Sequence, residues 1–93
     1  MKFDTNILFI ELDVLTFLLK NDFFDAARVY YNEYLFKKYP FSLSDNETKD
    51  FFFLFDKIDL FFNNQQYQQN FPTAVGELMS DIKDLKNEVQ DKS

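Results

Sequence analysis

Carboxylates are the main side chains of this sequence with a capacity for chemistry. The chain has 16 Asp and Glu residues, 10 Lys and Arg residues, no His and no Cys. The usual general base, the usual zinc ligand and a thiolate nucleophile are therefore missing. No Gly-rich phosphate loop and no G-x-S-x-G elbow occurs, and pairs of carboxylates arise by chance among so many acids. The sequence predicts a protein that is not an enzyme and uses no metal and no cofactor.

Acidic and apolar side chains alternate between residues 45 and 60. Five acids stand there against only Lys49 and Lys57, and Phe52, Phe53 and Leu60 lie beside the acids on the predicted helix. An apolar centre with an acidic rim is typical of a site for a basic protein, because aromatic rings give affinity and carboxylates steer the approach. In the alternative, Phe53 and Leu60 contact another helix of the same chain. The predicted partner-binding residues are Asp45, Glu47, Asp50, Phe52, Phe53, Asp56, Asp59 and Leu60.

Helices must position these residues. One Gly and two Pro in 93 residues leave little of the turn chemistry that a multi-stranded sheet needs. Apolar residues recur at helical spacing, and 14 of the residues are Phe. The sequence predicts an all-α, compact four-helix bundle with an aromatic core, in a single domain of residues 1–93. The helices are expected at 5–20, 23–39, 45–63 and 72–90, with an Asn/Gln-rich linker at 63–70.

Short polar segments mark the predicted helix starts. Asp4 or Thr5 can cap the first helix, and Asp22 is the predicted N-cap of the second. Ser44 and Glu47 have the spacing of a capping box for the third helix, which is expected to begin near residue 45. That helix carries a compact apolar stripe that is expected to lie in the core. The stripe residues are Phe51, Leu54, Phe55, Ile58, Phe61 and Phe62.

The first helix is apolar around well over half of its circumference. Ile7, Ile10, Val14 and Phe17 lie on that arc together with the leucines, so the helix is expected to pack on more than one side. Glu11 falls inside the arc and needs a partner or a place at the rim. We expect a partner such as Arg28 or a Tyr hydroxyl, in preference to a functional acid. A less favoured alternative makes residues 7–12 a short strand.

The predicted second helix carries the pattern FF-x-x-A-x-x-x-Y-x-x-Y-L, followed by Pro40. The pattern resembles the second helix of a tetratricopeptide repeat unit. A single repeat cannot bury its own face, so we interpret the resemblance as similar helix packing. The resemblance leaves open a role as an adaptor that binds a peptide in a groove of the first helical hairpin. The expected buried face is Phe23, Ala27, Tyr30, Tyr31, Tyr34 and Leu35.

The last helix has a narrow apolar seam at strict 3-4-3-4 spacing, which is typical of a coiled coil. Just over two heptads are too short to dimerise strongly alone. The seam is therefore expected to lie on the bundle, and the alternative is that it joins two copies in a homodimer. The seam residues are Val75, Leu78, Ile82, Leu85 and Val89.

Charge and hydropathy restrict the partners. The formal net charge is −6 and Arg28 is the single arginine, which argues against direct nucleic-acid binding. No apolar run approaches the ~20 residues of a membrane span, so no membrane association is expected. Lys2 precedes an apolar stretch that Glu11 and Asp13 interrupt, unlike a signal peptide. The protein is expected to be cytoplasmic.

These features favour a small acidic binding protein that masks or inhibits a basic protein partner. In this general character it is similar to bacterial immunity proteins and antitoxins that neutralise nuclease toxins, and to phage inhibitors of host nucleic-acid-binding defence proteins. The alternative function is a structural or adaptor module that self-associates.

Overall fold

The computed structural model describes residues 3–64 and 71–91, and within the last helix the side chains of residues 73–90. These residues form four helices and no strand, which confirms the predicted all-α fold. Of the predicted linker at 63–70, residues 65–70 lie outside the described residues. None of the described helices combines the length and the apolar character needed to cross a membrane. The helices are α1, Thr5–Lys20; α2, residues 24–38; α3, Lys49–Asn63; and α4, Phe71–Asp91.

The chain divides into two compact units. Unit 1, Met1–Phe41, contains α1 and α2, and unit 2, Ser42–Ser93, contains α3 and α4. A single domain over all 93 residues stays a prediction, and each unit is described by itself.

The N-terminal end of α1 is capped as expected. Asp4 has extended backbone geometry, and its Oδ1 accepts from the backbone N–H of Asn6 at 2.9 Å and of Ile7 at 3.3 Å. This satisfies two of the amide groups that the first turn of a helix leaves unpaired.

Asp22 closes α1 instead of opening α2, so its predicted role as an N-cap was wrong. Its φ is +63°, in the left-handed region. The N–H groups of Asp22 and Phe23 donate to the carbonyls of Leu19 and Leu18, at 3.3 and 2.9 Å. This is a Schellman ending, which uses a left-handed residue just past the helix; Asp tolerates that conformation better than most residues.

The second helix is continuous but changes pitch. The backbone N–H of Phe36 donates to the carbonyl of Tyr31, five residues back, as in a π-helix. Pro40 disfavours α geometry at Tyr39, which leaves the helix with φ −121° and ψ 80°. The three parts of α2 are Phe24–Tyr30 in α geometry, Tyr31–Leu35 in π geometry and Phe36–Lys38 in α geometry.

The core of unit 1 is mixed aliphatic and aromatic. Helix α1 contacts α2, and the small Ala27 side chain, which is fully buried, allows a close approach of two helices. Of the face predicted for α2, Phe23 and Tyr34 are exposed and Tyr30 is half-buried. The buried apolar residues of unit 1 are Leu8, Phe9, Leu12, Leu15, Leu19, Ala27, Tyr31, Leu35 and Tyr39.

One face of α1 is exposed, contrary to the expectation that this helix packs on more than one side. Ile7, Ile10, Val14 and Phe17 are exposed by 47%, 63%, 43% and 59%. Their 3-4-3 spacing places them on a single side of the helix, which we call the apolar α1 face. In the described part of unit 1, α2 is the one other helix, and it covers only part of the apolar arc of α1.

Helix α3 begins later than expected, at Lys49 after Thr48. The predicted capping box of Ser44 and Glu47 does not form there. The N–H of Glu47 instead donates to Oδ1 of Asp45 at 3.0 Å. Short polar side chains of this kind stabilise local turns in competition with a helix. This explains why α3 begins at Lys49 and not near residue 45.

The apolar stripe of α3 is buried as predicted. Ile58 is fully buried, and the rings of Phe61 and Phe62 meet edge to face with centroids 4.9 Å apart. Aromatic pairs in this geometry contribute about 0.5–1.5 kcal/mol beyond their area. The six buried residues are Phe51, Leu54, Phe55, Ile58, Phe61 and Phe62.

Helix α4 packs on α3 within unit 2. The three inner residues of its predicted seam, Leu78, Ile82 and Leu85, are buried, and Val75 and Val89 at the two ends are half-buried. The narrow seam is therefore the buried side of α4, and its polar flanks face outward.

Candidate partner-binding site

The predicted partner-binding residues lie on or just before α3 and differ in exposure. Phe53 is 47% exposed and meets the ring of Phe52 edge to face, with centroids 5.9 Å apart. Phe52 and Leu60 are half-buried. Asp59 is half-buried as well, and its Oδ1 accepts from Nδ2 of Asn63 at 2.9 Å. The remaining acids are exposed: Asp45, Glu47, Asp50 and Asp56.

Two of the predicted residues, Asp50 and Phe53, line a cavity of about 200 Å³ between α3 and α4. Leu54 and Leu85 form the apolar part of its wall. The other lining residues are charged: Lys57 from α3, and Asp81, Asp84 and Glu88 from α4. The cavity therefore combines an exposed aromatic ring with four carboxylates, within one compact unit.

A second cavity of about 130 Å³ continues along the same two helices. It shares Lys57 and Asp81 with the first cavity and adds Glu77 from α4. Phe61, Ala74 and Leu78 supply its apolar wall. We call the two cavities together the acidic groove.

The acids of α4 form one line along the groove. Glu77, Asp81, Asp84 and Glu88 follow each other at spacings of four, three and four residues, which keeps them on one side of a helix. We call this line the acidic flank. Lys83 and Lys86 belong to other sides of α4. The helix therefore separates its charges, and the groove receives the negative ones.

Among the described residues that line it, the groove carries five carboxylates and one ammonium group. The ammonium is Lys57, whose Nζ lies 2.9 Å from Oδ2 of Asp81. The two side chains are 59% and 35% exposed, and ion pairs with such exposure contribute at most about 1 kcal/mol. A surplus of carboxylates along a groove creates a negative potential that attracts cations and speeds their association.

Reasoning from the sequence missed most of this groove. Asp50 and Phe53 were found, but the other six predicted residues line neither of the two cavities: Asp45, Glu47, Phe52, Asp56, Asp59 and Leu60. The acids of α4 were not included in the site, although their 4-3-4 spacing was readable. The spacing of these acids marks a binding site only when α4 lies beside α3. The pairing of the two helices is a tertiary contact that the sequence does not show.

The α4 seam was also considered as a homodimer interface. Leu78, Ile82 and Leu85 are buried in the chain itself, and α4 packs on α3. A dimer through this seam requires α4 to separate from α3, and it stays a prediction.

Glu11 is the centre of a separate cluster in unit 1, formed with Tyr30, Tyr34, Lys38 and Tyr39. Lys38 Nζ lies 3.0 Å from each carboxylate oxygen of Glu11 and 3.0 Å from the Tyr34 hydroxyl. The Tyr39 hydroxyl donates to Oε1 of Glu11, and the Tyr30 hydroxyl donates to its backbone carbonyl at 2.9 Å. A partner for Glu11 was expected; it is Lys38 with a Tyr hydroxyl, not Arg28.

The wide π-helical turn aligns this cluster. In an α-helix, a residue four positions on is rotated by about 40°. A wider turn reduces that drift, so Tyr30, Tyr34 and Lys38 face the same side. The rings of Tyr30 and Tyr34 stack with centroids 5.5 Å apart, and Lys38 Nζ lies 5.3 Å from the Tyr34 ring.

The pKa shifts in the Glu11 cluster favour the charged forms of Glu11 and Lys38 and the neutral forms of Tyr30 and Tyr39. Burial of Glu11 opposes its ionisation, but hydrogen bonds from Tyr34, Tyr39 and Lys38 outweigh this and keep the pKa of the carboxyl below its ordinary value. Hydrogen bonds to Tyr34 and Glu11 raise the pKa of Lys38. Burial, together with the Glu11 carboxylate, raises the pKa of Tyr39 and that of Tyr30 to about 12. All four pKa values move away from neutral pH. This is expected of a cluster that joins α1 to α2, and not of a general acid or base.

No group of acids within residues 3–64 and 71–91 is arranged to hold a metal ion. Comparisons of the chain with protein-family models, with curated proteins and with solved structures found no match. The function must therefore be inferred from the chemistry of the chain's own residues.

Proposed function

We propose that this chain is a small acidic, non-catalytic binding protein that masks a basic protein partner. The observation that carries the proposal is the acidic groove of unit 2. Five carboxylates and the exposed ring of Phe53 line it, against one ammonium group, that of Lys57, in the described part of the chain. This is the composition expected of a site that attracts a cationic surface and then holds it by apolar contact.

Masking works by occupation. A protein that handles nucleic acid has a cationic surface for phosphates, and the carboxylates of the groove compete for the same cations. The role is that of an immunity protein or antitoxin against a nuclease, or of a phage inhibitor of a nucleic-acid-binding defence protein. Such partners act on nucleic acid inside the cell, so the proposal includes a cytoplasmic location.

The test is a capture experiment with matched charge variants. The tagged full chain is incubated with lysate of the source cell at low salt and eluted with a salt step. The groove variant carries Asp50→Lys and Asp84→Lys. The control variant carries Asp25→Lys and Glu33→Lys on α2, where both acids are exposed. Both variants change the formal net charge of −6 by the same amount.

We expect the wild type and the control variant to retain the same basic protein, and the groove variant to lose it. Inhibition of that protein's activity by the wild-type chain then identifies the function. Equal retention by the groove and control variants contradicts the proposal, because net charge and not the groove would then explain binding. Circular dichroism and urea unfolding of each variant show that the loss is not caused by unfolding.

A second candidate function is a module that self-associates, and the apolar α1 face favours it. Four large apolar side chains at 3-4-3 spacing are exposed there, which is the pattern of a helix that packs on another helix. Self-association predicts a mass that is a multiple of 11.2 kDa in sedimentation experiments, reduced to a monomer by Ile10→Gln with Phe17→Gln. A wild-type monomer at high concentration excludes this function.

A further inference from the structure

The acidic flank has the length and period of a helix. From Glu77 to Glu88 it advances by 11 steps along the helix, which is about 16 Å at 1.5 Å per step. Along it, Lys57 and Asp81 are shared by the two cavities, so the groove continues past their ion pair. A partner that uses the whole flank must present cations along a straight line of similar length.

Most of the apolar side chains that line the groove are not accessible to solvent. Leu54, Leu85, Phe61 and Leu78 line the groove but are buried, whereas Phe53 is 47% exposed. The groove therefore has room for one apolar contact of some size, beside a line of carboxylates. It is not a broad hydrophobic trough.

This arrangement discriminates between kinds of occupant. The groove is walled by two helices, whose backbone groups are paired within each helix, so it has no free sheet edge for an added strand. A polyproline segment needs several exposed aromatic rings, and Phe53 is the exposed ring among the lining residues described. A basic helix with lysines or arginines every three or four residues places them all on one side, opposite carboxylates with the same period.

We infer that the acidic groove binds one basic amphipathic helix of the partner, which lies along α4 with its cations toward the acidic flank and an apolar side chain on Phe53. The inference rests on the proposed function and specifies its partner: the masked surface is helical. One of the helix cations takes the place of Lys57 beside Asp81, since that ion pair is too exposed to resist displacement.

Two synthetic peptides of identical composition test the inference against the full chain. The first, the patterned peptide, has Lys at positions 1, 5, 8 and 12 of one helix face (about the 4-3-4 period of the flank), with a Leu beside them. The second, the permuted peptide, has the same residues with the Lys spread around the helix. Binding is measured by fluorescence anisotropy, and peptide helicity by circular dichroism.

We expect the patterned peptide to bind at least about tenfold more tightly than the permuted one and to gain helicity on binding. Phe53→Ala and Asp84→Lys should each weaken that binding, and Asp25→Lys on α2 should leave it unchanged. Equal binding of the two peptides overturns the inference, as does binding without a gain of helicity or no binding of either peptide. If the peptides fail in this way while the lysate partner is still lost from the groove variant, the proposed function stands and the masked surface is not helical.

Discussion

Lys57 on α3 and Asp81 on α4 form an ion pair across the acidic groove, with Nζ and Oδ2 2.9 Å apart. The pair joins the two helices of unit 2 at the point shared by both cavities. It also places the Lys57 ammonium group against the acidic flank. Lys57 therefore favours the packing of the two helices weakly and opposes the binding of a cationic partner.

The replacement Lys57→Gln separates these two effects. Because both side chains are substantially exposed, we expect the free energy of unfolding to fall by no more than about 1 kcal/mol. Removal of the positive charge should at the same time tighten binding of the captured basic protein. Urea unfolding and a binding titration measure the two quantities. Lys37→Gln on α2, which removes an equal charge outside the groove, is the control, and equal tightening by both variants would show that only net charge matters.

The replacement Glu11→Gln should reduce stability and its dependence on acid pH. The folded-state pKa of Glu11 is below its ordinary value, so between the two values the unfolded chain binds more protons than the folded protein. The ionised carboxylate thus contributes stability that is present above about pH 4.3 and is lost as the pH falls through the folded-state pKa. We expect the variant to be less stable by about 1–3 kcal/mol at neutral pH and to lack this acid loss.

Urea unfolding of both proteins from about pH 3 to about pH 7 measures this difference. Glu33→Gln, at an exposed acid that pairs with Lys37 at 2.9 Å, is the control and should keep the acid dependence of the wild type. Parallel pH profiles for the wild type and Glu11→Gln would disprove the structural role of the Glu11 carboxylate.

The replacement Tyr39→Phe should flatten the loss of stability in alkali. Burial and the hydrogen bond to Glu11 raise the pKa of Tyr39 to about 12. The folded protein therefore holds the phenol proton to a higher pH than the unfolded chain does. This contributes stability that is complete below about pH 10 and is lost as the pH rises through the folded-state pKa. Urea unfolding across this range tests it, and an unchanged alkaline slope in the variant would be the contrary result.

The exposure of α1 predicts a contrast between two isoleucines. Ile58 of α3 is fully buried and Ile10 of α1 is 63% exposed. Ile58→Ala should cost about 2–5 kcal/mol, because it removes buried methyl groups and leaves a cavity. Ile10→Ala should change the stability by no more than about 0.5 kcal/mol. A large and concentration-dependent cost at Ile10, measured by urea unfolding at two protein concentrations, would instead favour self-association through the apolar α1 face.

The replacement Asp22→Gly distinguishes the two roles considered for this residue. If Asp22 capped α2, loss of its carboxylate would destabilise the protein slightly. Because its φ is +63°, removal of Cβ should stabilise the protein, by up to about 1 kcal/mol. The sign of the change in a thermal or urea unfolding experiment decides between them, and Asp22→Asn, which also tolerates this geometry, should be close to neutral.

Local sequence patterns predicted correctly which side of a helix is buried where the apolar residues of that helix form a single stripe. The six residues of the α3 stripe are buried as predicted, because the 3.6-residue period places them on one side whatever they contact. Asp4 caps α1 for the same local reason. Local patterns failed at Asp22 and at Ser44, where a left-handed residue and a turn compete with helix capping. Hydropathy alone does not rank such alternatives.

The sequence by itself determined the all-α class, the stripe of α3, the narrow seam of α4 and the excess of carboxylates. These follow from periodicity and composition, which are properties of single segments. Only the tertiary structure decided that Glu11 pairs with Lys38, that the apolar α1 face is exposed, and that the acids of α4 join Asp50 and Phe53 in one groove. The physical reason is that each of these depends on which helices lie side by side and how they are rotated, and residues 24 or 27 positions apart carry no local signal of their contact.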